Sequence, residues 1–325
     1  MDGWVKNAHL FPEGYACDKV LELLQQMKDI SSQLYYNHHP KNPTKDQKKR
    51  NSYHHSLVAP NAQTYTTVLT ALAKSQTRDA CIHSEKMLLH EIPHPTIIHY
   101  NAVLNAYAKS PRADKALYAH SLYRRSMDNP ANTVQPDIIT HNTILSACAN
   151  SFGSIELKQK SFQIAMEIFS NAIKNYNNHN KDNNENEKNH DTRLSYTFSL
   201  FIKSIRKLLP KNKYPMRWKN NVVRVFRLCC DYGYVDKSVL LQIQAFRPTE
   251  QEWKELVVGD NDNEEVYSKC FGNDMVEDGR SKQQQQQQQH KRQYRTMTIS
   301  LQQLPIEWSR NSRKEQRFLR SNKRR

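Results

Sequence analysis

The feature that most constrains the fold of this chain is a short opening pattern that recurs along it. The pattern reads Gln-Thr-Tyr-Thr-Thr-Val-Leu at 63–69, and similar stretches begin at Ile98, Ile139 and Leu194. Their aromatic positions are residues 65, 100, 141 and 196, which gives intervals of 35, 41 and 55 residues. Apolar residues at helical spacing follow each opening. Recurrence at such an interval is typical of repeat architectures, and here it predicts helical pairs.

A second helix is predicted after the opening helices. Arg112 to Arg125 and Lys160 to Lys174 both place apolar residues along one side, and Asp18 to Lys28 is another helix of this second type. A single pair cannot bury its apolar stripe alone, so neighbouring pairs must stack. The predicted fold is therefore all-α, an α-solenoid of stacked helix-turn-helix repeats, with a disordered, charged C-terminal tail.

Polar stretches divide the chain, because segments poor in apolar residues cannot form a core. The prediction has six parts: a partial or degenerate helical repeat at 1–35, a polar insertion at 36–56, helical repeats at 57–174, an Asn-rich loop insertion at 175–191, a basic terminal repeat and cap at 192–248, and a disordered acidic linker, poly-Gln run and basic tail at 249–325.

The net charge of +16 is unevenly distributed. Residues 192–248 contain 12 basic and 2 acidic side chains, whereas residues 57–174 contain 11 and 8. Residues 249–279 contain 2 basic and 10 acidic side chains, and residues 280–325 contain 13 and 2. Such basic segments favour a polyanion partner, of which nucleic acid is the commonest. A solubilising tail without a specific contact is the alternative for the C-terminal segment.

The sequence carries no catalytic signature. It has no phosphate-binding loop, no dinucleotide fingerprint and no GxSxG motif, and only 7 glycines. The 6 cysteines show no CxxC spacing, which indicates buried thiols in a reducing compartment. We therefore expect no enzyme activity, no cofactor and no small-molecule substrate. No apolar run is long enough for a transmembrane helix, so no membrane partner is expected.

Two histidine pairs in the polar insertion could bind a transition metal. No cysteine or carboxylate lies at ligand spacing from them, so a disordered loop is the favoured interpretation and no metal site is predicted. These histidines are His38, His39, His54 and His55.

The openings and the residues that precede them resemble the pentatricopeptide-repeat family. A Thr-Tyr-Asn-like start, a helical pair and a closing Pro-Asp are similar to that repeat, and the closings here are Pro60-Asn61, Pro95-Thr96 and Pro136-Asp137. The tetratricopeptide repeat has a similar length but expects a Trp and a Leu-Gly early in its first helix, and neither occurs. The chain thus resembles a short array with degenerate and insertion-bearing repeats, most clearly over 57–174.

The resemblance implies binding of single-stranded RNA at about one base per helical pair. In the family, two positions choose the base: the residue after the first-helix aromatic and the last residue of the repeat. Asn101 with Asp137 matches a family combination that favours uracil. The alternative for each helix-start residue is that it caps backbone amides. The first position falls here on Thr66, Asn101, Asn142 and Thr197, and the second on Asn61, Thr96, Asp137 and Thr192.

Contacts to RNA phosphates are expected from the basic segment at 192–248, which also fits a cap for the end of the array. Farther on, an apolar patch precedes a basic end, and an RNA anchor, a nuclear-import-like signal and a docking motif stay open for it. The patch contains Leu301, Leu304, Ile306 and Trp308. The candidates for phosphate contacts lie in the basic segment at 192–248 and are Lys203, Arg206, Lys207, Arg224 and Arg227.

The leading hypothesis is an RNA-binding protein that acts in organellar RNA processing, stability or translation. The resemblance points to a mitochondrion or plastid. The first residues lack an Arg-rich, acid-poor leader, which a truncated N-terminus would explain, and cytoplasm and nucleus stay open. The alternative is a protein-interaction scaffold, such as an adaptor or ribonucleoprotein assembly factor, that binds a protein through its groove or basic tail.

Overall fold

The computed structural model describes residues 1–6, 14–37, 58–128, 134–182, 193–209, 215–246, 252–253, 256 and 304–311. These residues form α-helices and one 3-10 helix, and no β-strand occurs among them. The prediction of an all-α protein is therefore confirmed for this part of the chain.

The chain divides into two compact units, and the division falls near the end of the helix Ile138–Ala149. Unit 1 is Met1–Ala147 and unit 2 is Cys148–Arg325. The helices are α1 (Asp2–Lys6), α2 (Tyr15–Asn37), α3 (Ala62–Ser75), α4 (Arg78–His90), α5 (Ile97–Lys109), α6 (Lys115–Asp128), α7 (Ile138–Ala149), α8 (Ile155–Asp182), α9 (Leu194–Leu208), α10 (Pro215–Asp231) and α11 (Lys237–Gln244), and the 3-10 helix is Ile306–Ser309.

Within unit 1 the helices pack as consecutive hairpins. Helix α3 packs on its partner α4 and on α5, the first helix of the next hairpin, and α5 packs on α6. Helices α1 and α2 continue this arrangement, since both contact α3. The Thr67 hydroxyl donates to the Asp2 carboxylate at 3.0 Å, and Lys28 pairs with Glu91 at 2.5 Å. Stacked pairs are thus present in this unit, whereas one solenoid through the whole chain stays a prediction.

Small polar residues explain where several helices begin. Before α3, the Asn61 side chain accepts the Thr64 N–H at 2.9 Å, and Thr64 Oγ1 accepts the Asn61 N–H at 3.3 Å. Asp137 and Thr140 form the same reciprocal capping box before α7, at 2.8 and 3.2 Å. Asp236 caps α11 through the Val239 N–H at 2.9 Å. Each cap satisfies N–H groups that the first helical turn leaves without a partner.

Unit 2 is built around a cluster of aromatic rings. Phe169 of α8 stacks on Phe201 of α9 with 4.2 Å between ring centroids, and it meets Phe198 edge-on at 5.5 Å. All three side chains are buried. Helix α9 packs on α8, α10 and α11, so it is the central helix of this unit.

Helix α8 is longer than the sequence predicts. The expected Asn-rich loop at 175–191 is wrong for residues 175–182, because α8 continues to Asp182. Tyr176 packs edge-on against Tyr232 at 5.7 Å, and the Tyr232 hydroxyl donates to Asn177 Oδ1 at 2.8 Å. These tertiary contacts extend the helix into a stretch whose composition favours a loop. Residues 183–192 lie outside the described residues.

Part of the tail that was expected to be disordered is also packed. The 3-10 helix contacts α10, and Trp308 meets Phe226 edge-on at 6.1 Å. Trp253 is buried as well. The prediction of disorder over 249–325 is therefore wrong at these positions, because they bury apolar surface on unit 2. The rest of that range, like most of the 36–56 insertion, lies outside the described residues.

The cysteines of the described residues are free and buried, which confirms the prediction of buried thiols for Cys17, Cys81, Cys148, Cys229 and Cys230. Burial raises the pKa of Cys17 to about 11. None of the described helices combines the length and the hydropathy needed to cross a bilayer.

Candidate nucleic-acid interface

Asn101 and Asp137 lie in one hydrogen-bonded cluster between the starts of α5 and α7. Asn101 Nδ2 donates to Asp137 Oδ1 at 3.2 Å, and the Thr140 hydroxyl lies 2.7 Å from Asn101 Oδ1. The same hydroxyl is 2.9 Å from Asp137 Oδ1, so its single proton has two acceptors. A carboxylate can only accept, so the amide turns its NH₂ toward Asp137 and its oxygen toward Thr140. The amide orientation is thereby fixed, and one of its N–H groups is left for a ligand.

Two exposed isoleucines accompany this cluster. Ile98 is the second residue of α5 and Ile139 is the second residue of α7, and their exposed fractions are 59% and 44%. Ile98 lies one turn before Asn101, and Ile139 follows Asp137 by two residues. Exposed apolar side chains beside an amide are a feature that favours stacking of a flat ring. Both α5 and α7 begin with two consecutive isoleucines, Ile97-Ile98 and Ile138-Ile139. This shared start is the sequence signal from which the apolar surface could have been predicted.

Thr66 and Thr96 are arranged differently. The Thr66 hydroxyl donates to the Ala62 carbonyl of its own helix at 2.9 Å. The Thr96 N–H donates to His99 Nδ1 at 3.0 Å, so the proton of the neutral ring lies on Nε2, which donates to the Ala62 carbonyl at 3.0 Å. Between the two threonines themselves no hydrogen bond forms. The capping interpretation therefore fits Thr96, which serves the start of α5 and its contact with α3.

The fourth repeat start requires a correction at Thr197. Its side chain is 0% exposed, and its hydroxyl lies 3.4 Å from the Arg193 carbonyl oxygen in the same helix. A hydroxyl that is enclosed in this way cannot reach a base edge, so the prediction that Thr197 contacts RNA is wrong. The resemblance of Ser195-Tyr196-Thr197 to Thr64-Tyr65-Thr66 is misleading, because Tyr196 is half exposed whereas Tyr65 is buried.

The spacing of buried residues gives the correct register for α9. In α3, α5 and α7 a similar pattern of buried and partly exposed residues comes before the tripeptide at the C-terminal end of the helix. These tripeptides are Ala-Lys-Ser at 73–75, Ala-Lys-Ser at 108–110 and Ala-Asn-Ser at 149–151. In α9 the same pattern of buried residues comes before Ile202-Lys203-Ser204, so this tripeptide is the equivalent one. The position of Thr66, Asn101 and Asn142 therefore falls on Ser195, two residues before the predicted one.

The remaining predicted base contacts form no described pair. Asn142 is 7% exposed, which favours a structural role for its side chain in the unbound chain. Thr192, its predicted partner, lies outside the described residues. Asn101 with Asp137 is therefore the one predicted pair that the described part of the chain brings into contact.

The predicted phosphate contacts separate into two helices. Lys203, Arg206 and Lys207 share one face of α9 because they are three and four residues apart. Lys203 Nζ donates to Asn150 Oδ1 at 3.2 Å, which joins residues at equivalent positions of successive repeats. Within the described residues these three cations form no ion pair with a carboxylate. The other two candidates, Arg224 and Arg227, lie on α10.

Burial acts on two of the α9 cations. It lowers the pKa of Lys203, and the neighbouring charges of Lys207 and Arg206 lower it further. Arg206 donates from Nη2 to Gln242 Oε1 at 3.4 Å, while its buried Nε has no hydrogen-bond partner. Like charges on one helix face repel one another, and a bound anion would reduce that repulsion.

His141, at the aromatic position of the third repeat start, is buried and lies next to Asp137. Its ring meets Tyr123 edge-on at 6.0 Å, and its Nε2 has no hydrogen-bond partner. Burial lowers the pKa of His141, and the hydrogen bond to the Asp137 backbone and the charge of Asp137 offset this only in part. The fold thus favours the neutral ring. The stability that results is present above the ordinary histidine pKa of about 6.5 and is lost as pH falls from there through the lowered folded value.

We predict that His141→Phe stabilises unit 1 more at pH 5.5 than at pH 7.5. The phenyl ring keeps the contact with Tyr123 and removes the unsatisfied nitrogen, so the expected gain at pH 5.5 is about 1 kcal/mol. Urea unfolding of the full chain at both pH values measures it. His83→Phe changes an exposed histidine and should leave the pH dependence as in wild type. An equal effect of His141→Phe at both pH values would contradict the argument.

The described side chains form no metal centre. Among the described residues no group of three or more His, Cys, Asp and Glu side chains is arranged to hold a metal ion. The two histidine pairs of the 36–56 insertion lie outside them. No protein family, no curated protein and no solved structure matches the chain.

Proposed function

We propose that this protein binds single-stranded RNA through the starts of its first helices, as a pentatricopeptide-type repeat protein without catalysis of its own. The observation that carries the proposal is the cluster of Asn101, Asp137 and Thr140 with its two exposed isoleucines. An amide of fixed orientation beside apolar surface can both bond a base edge and stack on a base face. A role in organellar RNA processing, stability or translation, in a mitochondrion or plastid, follows from the family resemblance.

The chemistry of the cluster favours uracil over cytosine. Uracil presents the O4 acceptor and the N3–H donor, whereas cytosine presents the N4 donor and the N3 acceptor. Asp137 and Thr140 occupy the edge of the amide that carries Oδ1 and one N–H, so the N–H on the other side is the group that can donate to O4. Because Asp137 and Thr140 oppose a flip of the amide, Asn101 cannot easily offer the reverse pattern to cytosine. Asp137 is therefore proposed as a residue that orients the base-reading amide.

Phosphate contacts would supply most of the affinity. A short array reads few bases, and the central segment 57–174 has nearly balanced charge, with 11 basic and 8 acidic side chains. The α9 cations of unit 2 are the strongest phosphate candidates, since three positive side chains share one helix face. Binding should consequently weaken as salt is raised.

The test of base reading is selection from a random single-stranded RNA pool with the full chain at physiological salt. We expect wild type to enrich a short motif that contains uracil. Asn101→Ala/Asp137→Ala should relax the uracil preference at one position by about tenfold, the size expected for one well-placed base contact. The other positions of the motif should keep their preference.

Asn105→Ala is the matched control, because it removes the same amide from α5 one turn later than Asn101. It should leave the motif unchanged. Absence of any enriched motif, or a motif that survives the double substitution, would contradict base reading at this cluster. If RNA binding were lost altogether in wild type while a protein bound the same helix starts, the scaffold hypothesis would replace the proposal.

A further inference from the structure

Residues 304–311, here called the docked segment, pack against the C-terminal end of α10. Two backbone hydrogen bonds fix their position: the Val235 N–H donates to the Trp308 carbonyl at 2.7 Å, and the Asn311 N–H donates to the Gly233 carbonyl at 2.8 Å. Leu304 and Asn311 are buried, as is Ser309. The contact joins parts of unit 2 that are far apart in sequence.

The docked segment supplies donors to the last carbonyl group of α10 and to two carbonyl groups of the turn after it, whereas the Leu228, Cys229 and Cys230 carbonyls accept from N–H groups of that turn. The last carbonyl groups of a helix have no N–H partner within the helix. Arg310 Nη2 donates to the Asp231 carbonyl at 2.8 Å, and Asn311 Nδ2 donates to the Tyr232 carbonyl at 2.7 Å. With the Asn311 N–H on Gly233, three consecutive carbonyl groups receive their donors from this segment. Trp308 adds an edge-on contact with Phe226.

Gly233 makes the close approach of the two backbones feasible. Its φ is +70°, a left-handed conformation that glycine adopts without strain. A Cβ atom at this position would lie 2.5 Å from Arg310 Cγ and 2.9 Å from the Glu307 carbonyl oxygen. The surface after α10 is therefore shaped to receive a peptide backbone at that point.

We propose that the turn 231–235 with Phe226 is a peptide-binding site whose resident ligand is the docked segment. Recognition rests on Trp308, Arg310 and Asn311 together with the two backbone hydrogen bonds. Ile306 is 72% exposed and contributes little. The site thus selects a short segment with the pattern Trp-x-Arg-Asn and ties the basic C-terminal end of the chain to unit 2, whether or not the protein binds RNA.

Hydrogen exchange in the full chain tests this assignment, because the Val235 and Asn311 amides are bonded across the contact. In Trp308→Ala both amides should exchange at least about tenfold faster than in wild type, while α9 keeps its protection. A synthetic peptide with the sequence of residues 302–313, added to the Trp308→Ala chain, should restore the protection of Val235. Ile306→Ala is the matched control and should behave as wild type.

Three results would overturn the assignment. The first is that the Val235 and Asn311 amides are unprotected in wild type. The second is that the wild-type peptide restores no more protection than a control peptide that carries Asn311→Ala. The third is loss of α9 protection in both Trp308→Ala and the milder Asn311→Ala chain, which would make the segment an inseparable part of the core of unit 2. If only Trp308→Ala disturbs α9, the peptide experiment is read in the Asn311→Ala chain.

Discussion

Replacing Phe198 by alanine is expected to lower the free energy of unfolding of unit 2 by about 3–5 kcal/mol, the usual cost of deleting a buried phenyl ring. Phe198 is completely buried, it meets Phe169 edge-on at 5.5 Å, and its ring lies 6.3 Å from that of Tyr232. It therefore joins α8 and the turn after α10 to the central helix. The corrected register places it where the earlier repeats have buried leucines, at Leu69, Leu104 and Leu145.

Native-state hydrogen exchange of α9 in increasing urea measures this loss. Peptides of α5 belong to unit 1 and provide an internal reference that should not change. Met166→Ala is the matched control, since Met166 is an exposed side chain of α8, and its effect should stay within about 0.5 kcal/mol. A loss below about 1 kcal/mol in Phe198→Ala would refute the corrected register, because it would mean that this ring is not part of the core.

The sequence predicted what local interactions determine. The helical pairs of residues 62–128 follow from apolar residues at helical spacing, and the box of Asp137 and Thr140 is readable as a helix start. The pair of Asn101 and Asp137 came from the family resemblance, and the two residues meet because the starts of α5 and α7 are neighbours. For the helices and the capping box, short-range spacing is sufficient.

The misses arise where long-range contacts outweigh local composition. Residues 175–182 look like a loop, yet Tyr176 and Asn177 find partners on the turn after α10 and the helix continues. The docked segment has a weak apolar pattern, and its partner lies some distance away in the chain. Thr197 was misplaced because one similar tripeptide was given more weight than the spacing of all buried residues in α9. The similarity of Ser195-Tyr196-Thr197 to the earlier repeat starts is visible in the sequence, whereas the burial of the α9 side chains is visible only in the structure.

Neutralising Lys203, Arg206 and Lys207 together by glutamine is expected to weaken RNA binding by about ten- to a hundredfold at physiological salt. Each phosphate contact of a single strand adds about 0.7 to the slope of log affinity against log salt, so the loss of three contacts should make the slope shallower by about 2. Glutamine keeps the first two methylene groups of each stem, which limits the cost to α9. Titration of a labelled uracil-containing RNA at several salt concentrations gives both numbers.

The control must remove the same charge from the same unit. Lys158, Lys160 and Lys174 of α8 serve this purpose, since their replacement by glutamine also removes three positive charges. If the α9 cations contact phosphate, the α9 variant loses affinity and slope, while the α8 variant loses much less because a distant charge is screened within about 10 Å. Equal losses would indicate attraction by net charge without a defined phosphate site. An unchanged affinity in both variants would remove α9 from the RNA surface and leave base reading in unit 1 without its proposed electrostatic support.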